Sequence, residues 1–365
     1  MGTAVENILH KPYPLFLLGL GVITAYIPGI FGAAISTGWL FLLIVAPLLL
    51  FYCDIKLSWG FVFLCYATLS LAWTKTLNIA WFYLLQLVVL SLVFCIGQSI
   101  KINQLKTIFK GLSFGLGLAS LVAIAQYFKI DTGVYSLTNS IASIFINPNI
   151  YSELSAVLLV SLVVLRLFWW IPVTLPGLIL VHSRASLLAL GIGLFVWGWQ
   201  RNKYLALGLL AAVGLASTYF YYDHFSLASI RERLDIWQDT IQGFKLFGNG
   251  VGSYEVMFPD YATHINTELA RPKFAHNDLL QFFFEYGIGS FFLLMVLFNV
   301  FKSKLPETII LYTIGVVSLF TYPLHIPAPA FIAFLVAGYI SGNSNTNGTV
   351  RNLGRSTLFA GTKTK

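Results

Sequence analysis

A histidine and two cations stand together directly before an apolar segment of the sequence. Arg271, Lys273 and His276 fall within six consecutive residues. A histidine can accept a proton from a sugar hydroxyl near neutral pH, and fixed cations beside it attract an anion. The group therefore indicates acid–base chemistry next to an anionic site. A lone histidine at a helix start is often structural, and that alternative stays open at this point.

Carboxylates follow at helical spacing. Asp278, Gln281 and Glu285 recur at i, i+3 and i+7, so we expect them to share one face of a helix. Glu285 then lies inside the apolar segment, where a carboxylate is costly and suggests a functional site. Glu153 is a second carboxylate inside an apolar segment, and it follows Asn147-Pro148-Asn149 in the sequence.

Arginines stand at two further places. Arg184 follows Ser183 at the start of an apolar run, where its guanidinium can grip a phosphate bidentately. Contact with lipid headgroups is the simpler alternative for Arg184. Arg231 and Arg233 fall in the segment 229–247, whose apolar residues recur as one stripe of an amphipathic helix: Ile230, Leu234, Trp237, Ile241 and Phe244. The matching polar stripe, Arg231, Asp235, Gln238 and Gln242, is predicted to face a cavity, with the helix lying near a membrane surface.

A glycine-rich turn, Gly248-Asn249-Gly250-Val251-Gly252, follows that segment. Alternating glycines allow positive φ angles and end helices. Free N–H groups there would also suit a phosphate. No strand precedes the turn and no lysine follows in P-loop position, so the helix end is the favoured interpretation.

The composition decides which elements position these residues. The chain has 365 residues, of which 58% are hydrophobic and 10% charged, against roughly 25% charged in soluble domains. This excludes a soluble enzyme and predicts an all-α, polytopic membrane helix bundle. The net charge of +8 lies mostly in loops, which fits membrane topology and predicts no nucleic-acid partner.

Apolar runs predict about 12 transmembrane helices. They lie near 14–31, 33–51, 57–73, 79–97, 108–128, 149–165, 167–181, 185–200, 204–221, 279–301, 306–322 and 327–341. With both termini inside, 14 of the 22 cations fall in inner segments, as the positive-inside rule requires. We therefore predict one membrane domain over 1–341, a long outer loop at about 222–276 that contains the amphipathic helix, and a flexible cytoplasmic tail over 342–365.

The motifs, taken in order, resemble those of the O-antigen ligase and O-antigen polymerase superfamily of bacterial membrane proteins. They span roughly residues 140–300 and comprise Asn147-Pro148-Asn149, the Ser183–Leu190 stretch, Arg233 to Trp237, the glycine turn, and Ala275-His276-Asn277-Asp278-Leu279-Leu280-Gln281 before Glu285-Tyr286-Gly287. The resemblance implies a fold similar to C-type glycosyltransferases in the bacterial inner (cytoplasmic) membrane, with the active site facing the periplasm.

The resemblance also implies a reaction. Such proteins move a glycan from undecaprenyl diphosphate to a periplasm-facing acceptor, and the expectation here is an O-antigen ligase-type transfer onto lipid A–core. The alternative is an O-antigen or exopolysaccharide polymerase that joins lipid-linked repeats. A polysaccharide or ion-coupled transporter, with Glu153 and Glu285 as ion sites, is the alternative from another class.

Residue roles follow from the same resemblance. His276 matches the family's periplasmic histidine and is expected to be the general base. Arg184 and either Arg231 or Arg233 match its arginines, with that last choice left open. Arg271 and Lys273 are expected to help hold the diphosphate, and the other expected substrate-binding residues are Asn147, Asn149, Asn277 and Glu285. The sequence contains no Asp-x-Asp, His-x-x-x-His or GxxxxGK[ST] pattern. We therefore expect a metal-independent transfer with no cofactor, whose energy comes from the donor. In-line attack is expected to invert the anomeric centre.

Overall fold

The structure is a computed structural model that describes residues 12–26, 34–50, 59–132, 141–145, 147–181, 183–221, 228–265 and 272–344. Across these ranges all regular structure is helical and no strand occurs. The all-α prediction is therefore confirmed for the part of the chain that the structure describes. Most of the predicted tail lies outside it, although the last helix continues to Asn343, two residues beyond the predicted boundary.

Fifteen α-helices follow one another through the described ranges. They are α1 (Pro12–Thr24), α2 (Ala34–Leu50), α3 (Trp59–Leu69), α4 (Leu77–Ser99), α5 (Ile102–Tyr127), α6 (Pro148–Val164), α7 (Leu175–Ile179), α8 (Arg184–Trp199), α9 (Lys203–Tyr221), α10 (Ala228–Gln242), α11 (Tyr254–Met257), α12 (Asp278–Tyr286), α13 (Ser290–Phe301), α14 (Thr308–Ser318) and α15 (Pro327–Asn343). Short 3₁₀ turns join several of them, including Gly287–Gly289 between α12 and α13 and Pro323–His325 before α15.

Helices α6 and α15 form the centre of the molecule. Every side chain from Ile150 to Val164 in α6 is buried, and α15 is buried along nearly its whole length. A helix that is apolar all round must be enclosed by other helices. Helices α8 and α14 pack on α6, and helix α4 packs along α15. The start of α6 therefore brings its polar residues into a crowded, low-dielectric region.

Within the described ranges, three helices are long and apolar enough to cross a membrane. They cover Leu77–Ser99, Ile102–Tyr127 and Asp278–Phe301, and several shorter apolar helices accompany them. A membrane helix bundle agrees with this inventory, whereas the number of 12 spans stays a prediction. The predicted run 167–181 is broken into a 3₁₀ segment, Phe168–Thr174, and the short α7, because prolines at 172 and 176 interrupt regular helix hydrogen bonding.

The predicted amphipathic helix is present as α10, but a different face packs against the protein. Ile236, Asp239 and Thr240 are buried there. The apolar stripe stands outward, with Ile230, Leu234 and Ile241 exposed by 41%, 48% and 52%. In the polar stripe Arg231, Gln238 and Gln242 are exposed as well. The expectation that the polar stripe faces a cavity was therefore wrong for those three residues, since the helix is rotated about its axis relative to that prediction.

Candidate functional site

A small cavity lies between the start of α6, His276 and the segment that follows α14. Its volume is about 20 Å³, which is enough for one water molecule. The lining combines polar and apolar side chains from three separate parts of the chain: Asn147, Asn149, Ile150, Glu153, His276, Thr321, Tyr322 and Ile326. The structure thus brings together the predicted site residues Asn147, Asn149 and His276.

The first turns of α6 position its polar residues. Asn147 is the N-cap, and its side-chain oxygen accepts a hydrogen bond from the Asn149 N–H at 2.9 Å. Pro148 at the first helical position suits this start, because its ring fixes φ and it has no N–H to satisfy. Asn147 also hydrogen bonds to the side chain of Tyr322. The cap therefore ties α6 to the segment after α14.

Glu153 lies on the same side of α6, four residues after Asn149. It is 4% exposed. Its Oε2 accepts a hydrogen bond from Thr321 Oγ1 at 3.1 Å, while its Oε1 has no hydrogen-bond partner among the described residues. A buried oxygen without a partner loses the free energy of its hydration, so this atom calls for an additional ligand.

His276 has a backbone conformation that is unusual for a residue other than glycine. Its φ of 52° lies in the left-handed region, and such strain concentrates at functional sites. The ring packs edge-on against Tyr322, with centroids 5.1 Å apart. Nδ1 is buried and has no hydrogen-bond partner within the described ranges.

Burial and a nearby positive charge set the protonation state of His276. Burial disfavours the charged ring, and Arg233 adds electrostatic repulsion, so together they lower the pKa of His276 from 6.5 to about 4. The imidazole is therefore neutral at neutral pH. A neutral ring has a free lone pair and can accept a proton.

Arg233 is the arginine of α10 that points toward this region. It is half-buried, whereas Arg231 is exposed. Its electrostatic neighbours include Glu153 and Arg184, and its charge also acts on His276. Burial and the like charge of Arg184 contribute to an Arg233 pKa below its usual value. Of the two arginines that the sequence left open, the structure therefore places Arg233 beside His276.

Arg184 is the first residue of α8, with Ser183 as its N-cap. Its side chain is half-buried. Backbone N–H groups at a helix N-terminus favour anions. Two guanidinium groups from separate helices thus come within electrostatic reach of each other at one end of the bundle.

Asp278, Gln281 and Glu285 share one buried face of α12, as their spacing predicted. Asp278 Oδ1 accepts a hydrogen bond from His325 Nδ1 at 2.8 Å. Gln281 Nε2 donates to His325 Nε2 at 3.1 Å and to Glu285 Oε1 at 3.2 Å. The Gln281 oxygen accepts from the Ala275 N–H at 3.1 Å, which fixes the orientation of its amide. This chain of hydrogen bonds anchors α12, and hence the adjoining His276, to the segment before α15.

The glycine turn uses its N–H groups within the fold. Gly248, Gly250 and Gly252 have φ angles of 73°, 98° and 64°, as the sequence predicted. The five N–H groups donate to Lys245 O, Phe284 O, Glu285 O, Ser70 Oγ and Glu285 Oε2. None of them is left for a phosphate. The prediction that this turn ends the helix was wrong, because α10 already ends at Gln242, before Gly248.

Several predicted substrate-binding residues lie apart from the cavity lining. Glu285 holds the glycine turn through the Gly252 N–H. Asn277 caps α12 by accepting from the Leu280 N–H, and its amide donates to Leu319 O. The Lys273 side chain is 71% exposed and lies 4.0 Å from Glu255. Arg271 is outside the described residues.

Thr321, Tyr322 and His325 are site or supporting residues that sequence reasoning missed. They fall in one short polar interruption, Thr321-Tyr322-Pro323-Leu324-His325, between two apolar runs. The sequence analysis assigned no role to this interruption, which contains one proline, Pro323. A histidine inside such an interruption was the available signal.

A comparison with models of protein families found a match. A search of curated proteins and a search of solved structures found no match. The family model described as O-Antigen ligase matches residues 149–295, which run from the start of α6 into α13. This range holds Glu153, Arg184, Arg233 and His276. Together with the long apolar helices, the match indicates a bacterial inner-membrane protein with a glycan-transfer function. Over residues 149–295 the chain is thus similar to the O-antigen ligase family.

Proposed function

We propose that the protein transfers a glycan from undecaprenyl diphosphate to a hydroxyl of a periplasm-facing acceptor, in an O-antigen ligase-type reaction onto lipid A–core. The observation that carries the proposal is the convergence of Arg184, Arg233 and His276 at one mouth of the bundle. Two fixed cations beside a neutral imidazole suit a substrate with an anionic leaving group and a hydroxyl to be deprotonated.

The arginines act on the leaving group. Breaking the anomeric C–O bond places negative charge on the lipid diphosphate. Guanidinium groups held in a low-dielectric site stabilise that developing charge without reorganising. Arg184 and Arg233 fill this role, and the exposed Lys273 extends the positive charge toward the aqueous side. From the sequence alone, Arg271 is proposed to help hold the diphosphate. The mutual repulsion of Arg184 and Arg233 is relieved when the diphosphate lies between them.

His276 acts on the acceptor. The acceptor hydroxyl attacks the anomeric carbon while the His276 imidazole takes its proton, a form of general base catalysis worth typically 10²–10⁴-fold. Attack from the side opposite the diphosphate inverts the anomeric centre. Asn147 and Asn149 line the adjoining cavity and contribute hydrogen-bonding groups for the sugar. The donor supplies the energy of the transfer, and the scheme is independent of metal ions.

The arginine assignment is tested by glycan transfer with purified protein in proteoliposomes. We expect Arg233→Ala to lower turnover by about 10²–10³-fold, the usual effect of removing one transition-state donor. Arg231→Ala, the same change two residues away on the exposed side of α10, should cause a much smaller loss. Equal losses for the two variants, or a larger loss for Arg231→Ala, would refute the choice of Arg233.

The same assay distinguishes the acceptors and tests metal independence. A ligase adds one glycan per lipid A–core molecule, whereas a polymerase produces a ladder of lipid-linked products on a gel. Turnover that persists in a chelator agrees with the proposed scheme. Turnover that disappears with chelator and returns with a divalent cation would contradict it.

A further inference from the structure

We infer that Gln281 and His325 are positioning residues for His276, which they hold through the backbone N–H of the preceding Ala275. This inference rests on the proposed function, in which His276 takes the proton of the acceptor hydroxyl. It assigns a role in that reaction to a buried amide and a buried imidazole that lie outside the lining of the cavity beside His276.

The left-handed backbone of His276 is held by its two neighbours. Its φ of 52° is unfavourable for a residue with a side chain, and such a conformation persists only where the surrounding structure enforces it. On one side, the Ala275 N–H donates to Gln281 Oε1 at 3.1 Å. On the other side, the Asn277 carbonyl accepts from the Gln281 N–H at 3.0 Å. Gln281 therefore bonds to the backbone on both sides of His276.

The hydrogen-bond directions around Gln281 determine where His325 carries its proton. A backbone N–H can only donate, so the Gln281 oxygen faces Ala275 and its NH₂ group faces the other way. The two protons of that group go to Glu285 Oε1 at 3.2 Å and to His325 Nε2 at 3.1 Å. His325 Nε2 is therefore the acceptor, and Nδ1 carries the proton that it donates to Asp278 Oδ1 at 2.8 Å.

This form of His325 keeps the Gln281 amide in the orientation that binds Ala275. If the amide were turned around, its NH₂ group would face the Ala275 N–H, and a buried donor would lose its acceptor. Ala275, Gln281 and His325 are 0%, 1% and 7% exposed, so solvent water has little access to replace the lost bond. The pair thus fixes the backbone that enters His276.

Positioning of this kind acts on the transfer step more than on donor binding. His276 must lie within hydrogen-bond distance of the acceptor hydroxyl, and a displacement of about 1 Å can cost about 10²-fold in rate. The proposed diphosphate ligands Arg184 and Arg233 lie on α8 and α10. Gln281 lies on α12, so its loss should leave those two arginines in place.

The first test is Gln281→Leu in the proteoliposome transfer assay. Leucine is close to glutamine in size but offers no acceptor to the Ala275 N–H. We expect kcat per folded molecule to fall about 10²-fold, with little change in the KM for the lipid-linked donor.

Ser120→Ala provides the control for lost stability. Ser120 lies in α5, is 4% exposed, and its hydroxyl lies 2.8 Å from that of Tyr151. Loss of this buried hydrogen bond should lower the unfolding temperature. It should leave kcat per folded molecule unchanged, because Ser120 and Tyr151 lie outside the chain of hydrogen bonds that reaches His276.

Two variants of His325 test its bond to Gln281. The amide oxygen of His325→Gln can accept from Gln281 in place of Nε2, whereas the side chain of His325→Leu cannot. His325→Leu should therefore lower kcat nearly as far as Gln281→Leu does, and His325→Gln should retain clearly more turnover. Equal losses in the two His325 variants would contradict the role of this acceptor.

The reactivity of His276 gives a measurement that is independent of turnover. Diethyl pyrocarbonate acylates neutral imidazoles, and mass spectrometry identifies the modified residue. Gln281→Leu should raise the rate of modification at His276, because the ring is no longer held in its buried place. His264, whose side chain is 45% exposed, should react at the same rate in both proteins.

The outcomes separate this inference from the proposed function. The inference is overturned if Gln281→Leu has the wild-type kcat per folded molecule, if only its donor KM changes, or if the modification rate at His276 stays the same. A fall in kcat of the same size in Ser120→Ala would also overturn it, since lost stability would then explain both. Absence of transfer by the wild-type protein would instead refute the proposed function, while the reactivity of His276 would still test its positioning.

Discussion

His276 combines three properties that set it apart from an ordinary buried histidine. Its backbone is left-handed, its Nδ1 has no partner within the described ranges, and burial together with Arg233 lowers its pKa to about 4. A structural histidine normally has both ring nitrogens satisfied when buried. We therefore assign the strain and the unsatisfied nitrogen to its role in the reaction.

The lowered pKa predicts the pH dependence of transfer. The base must be neutral, and the neutral form persists above the pKa, so activity should stay level from neutral pH downward and fall only as the pH approaches about 4. The measurement is kcat/KM for transfer across this range, corrected for protein that unfolds in acid. An acid limb centred near 6.5, the ordinary histidine value, would show that the ring is not held in the environment described here.

Sequence reasoning identified the site residues that stand next to apolar runs, and it missed those whose role depends on how helices meet. His276 and Arg184 could be predicted because a cation or histidine at the start of a span is conspicuous. The sequence could not decide which of Arg231 and Arg233 belongs to the site, because both lie on one predicted helix. The rotation of that helix against the bundle leaves Arg231 exposed and Arg233 half-buried. Tyr322 and His325 were missed because their contacts come from distant elements.

At the scale of elements, the joint between the glycine turn and α12 determines how the loop meets the bundle. Gly250 donates its N–H to Glu285 O at 2.9 Å, and a Cβ on Gly250 would lie 2.6 Å from Thr74 Cβ. Its φ of 98° is also unfavourable for any side chain. The turn therefore requires glycine for both conformation and space.

We expect Gly250→Ala to destabilise the protein by about 1–3 kcal/mol, the usual cost of a strained backbone position. Gly208→Ala in α9 is the matched control. No atom lies within 4 Å of a Cβ at Gly208, and alanine has the higher helix propensity by about 1 kcal/mol. The midpoints of thermal unfolding in detergent should fall for the first variant and stay or rise for the second. Equal midpoints would contradict the proposed constraint on the turn.

At the scale of the whole molecule, the composition and the order of the motifs predicted different properties of the protein. The hydrophobic composition predicted the helical fold, and the order of motifs predicted the family. The number of spans could not be read from composition, since several helices are shorter than a bilayer crossing and one predicted run is broken by prolines. Their tilt and enclosure depend on packing between helices.

Cysteine labelling tests the orientation. Lys273 and Lys304 are both exposed and lie on either side of the Asp278–Phe301 helix pair. In a background without the native cysteines, Lys273→Cys should react with a membrane-impermeant maleimide in cells whose outer membrane is permeable to it. Lys304→Cys should react only after the inner membrane is opened. Labelling of both residues from the same side would show that this helix pair does not cross the membrane as predicted.

The most direct test of the central claim is the turnover of glycan transfer by His276→Ala in proteoliposomes that contain a lipid-linked donor and a core acceptor. The wild-type protein should transfer the glycan and release undecaprenyl diphosphate in equal amounts. His276→Ala should lower that turnover by about 10²–10⁴-fold while the protein stays folded. Wild-type turnover in both His276→Ala and Arg184→Ala would contradict the account.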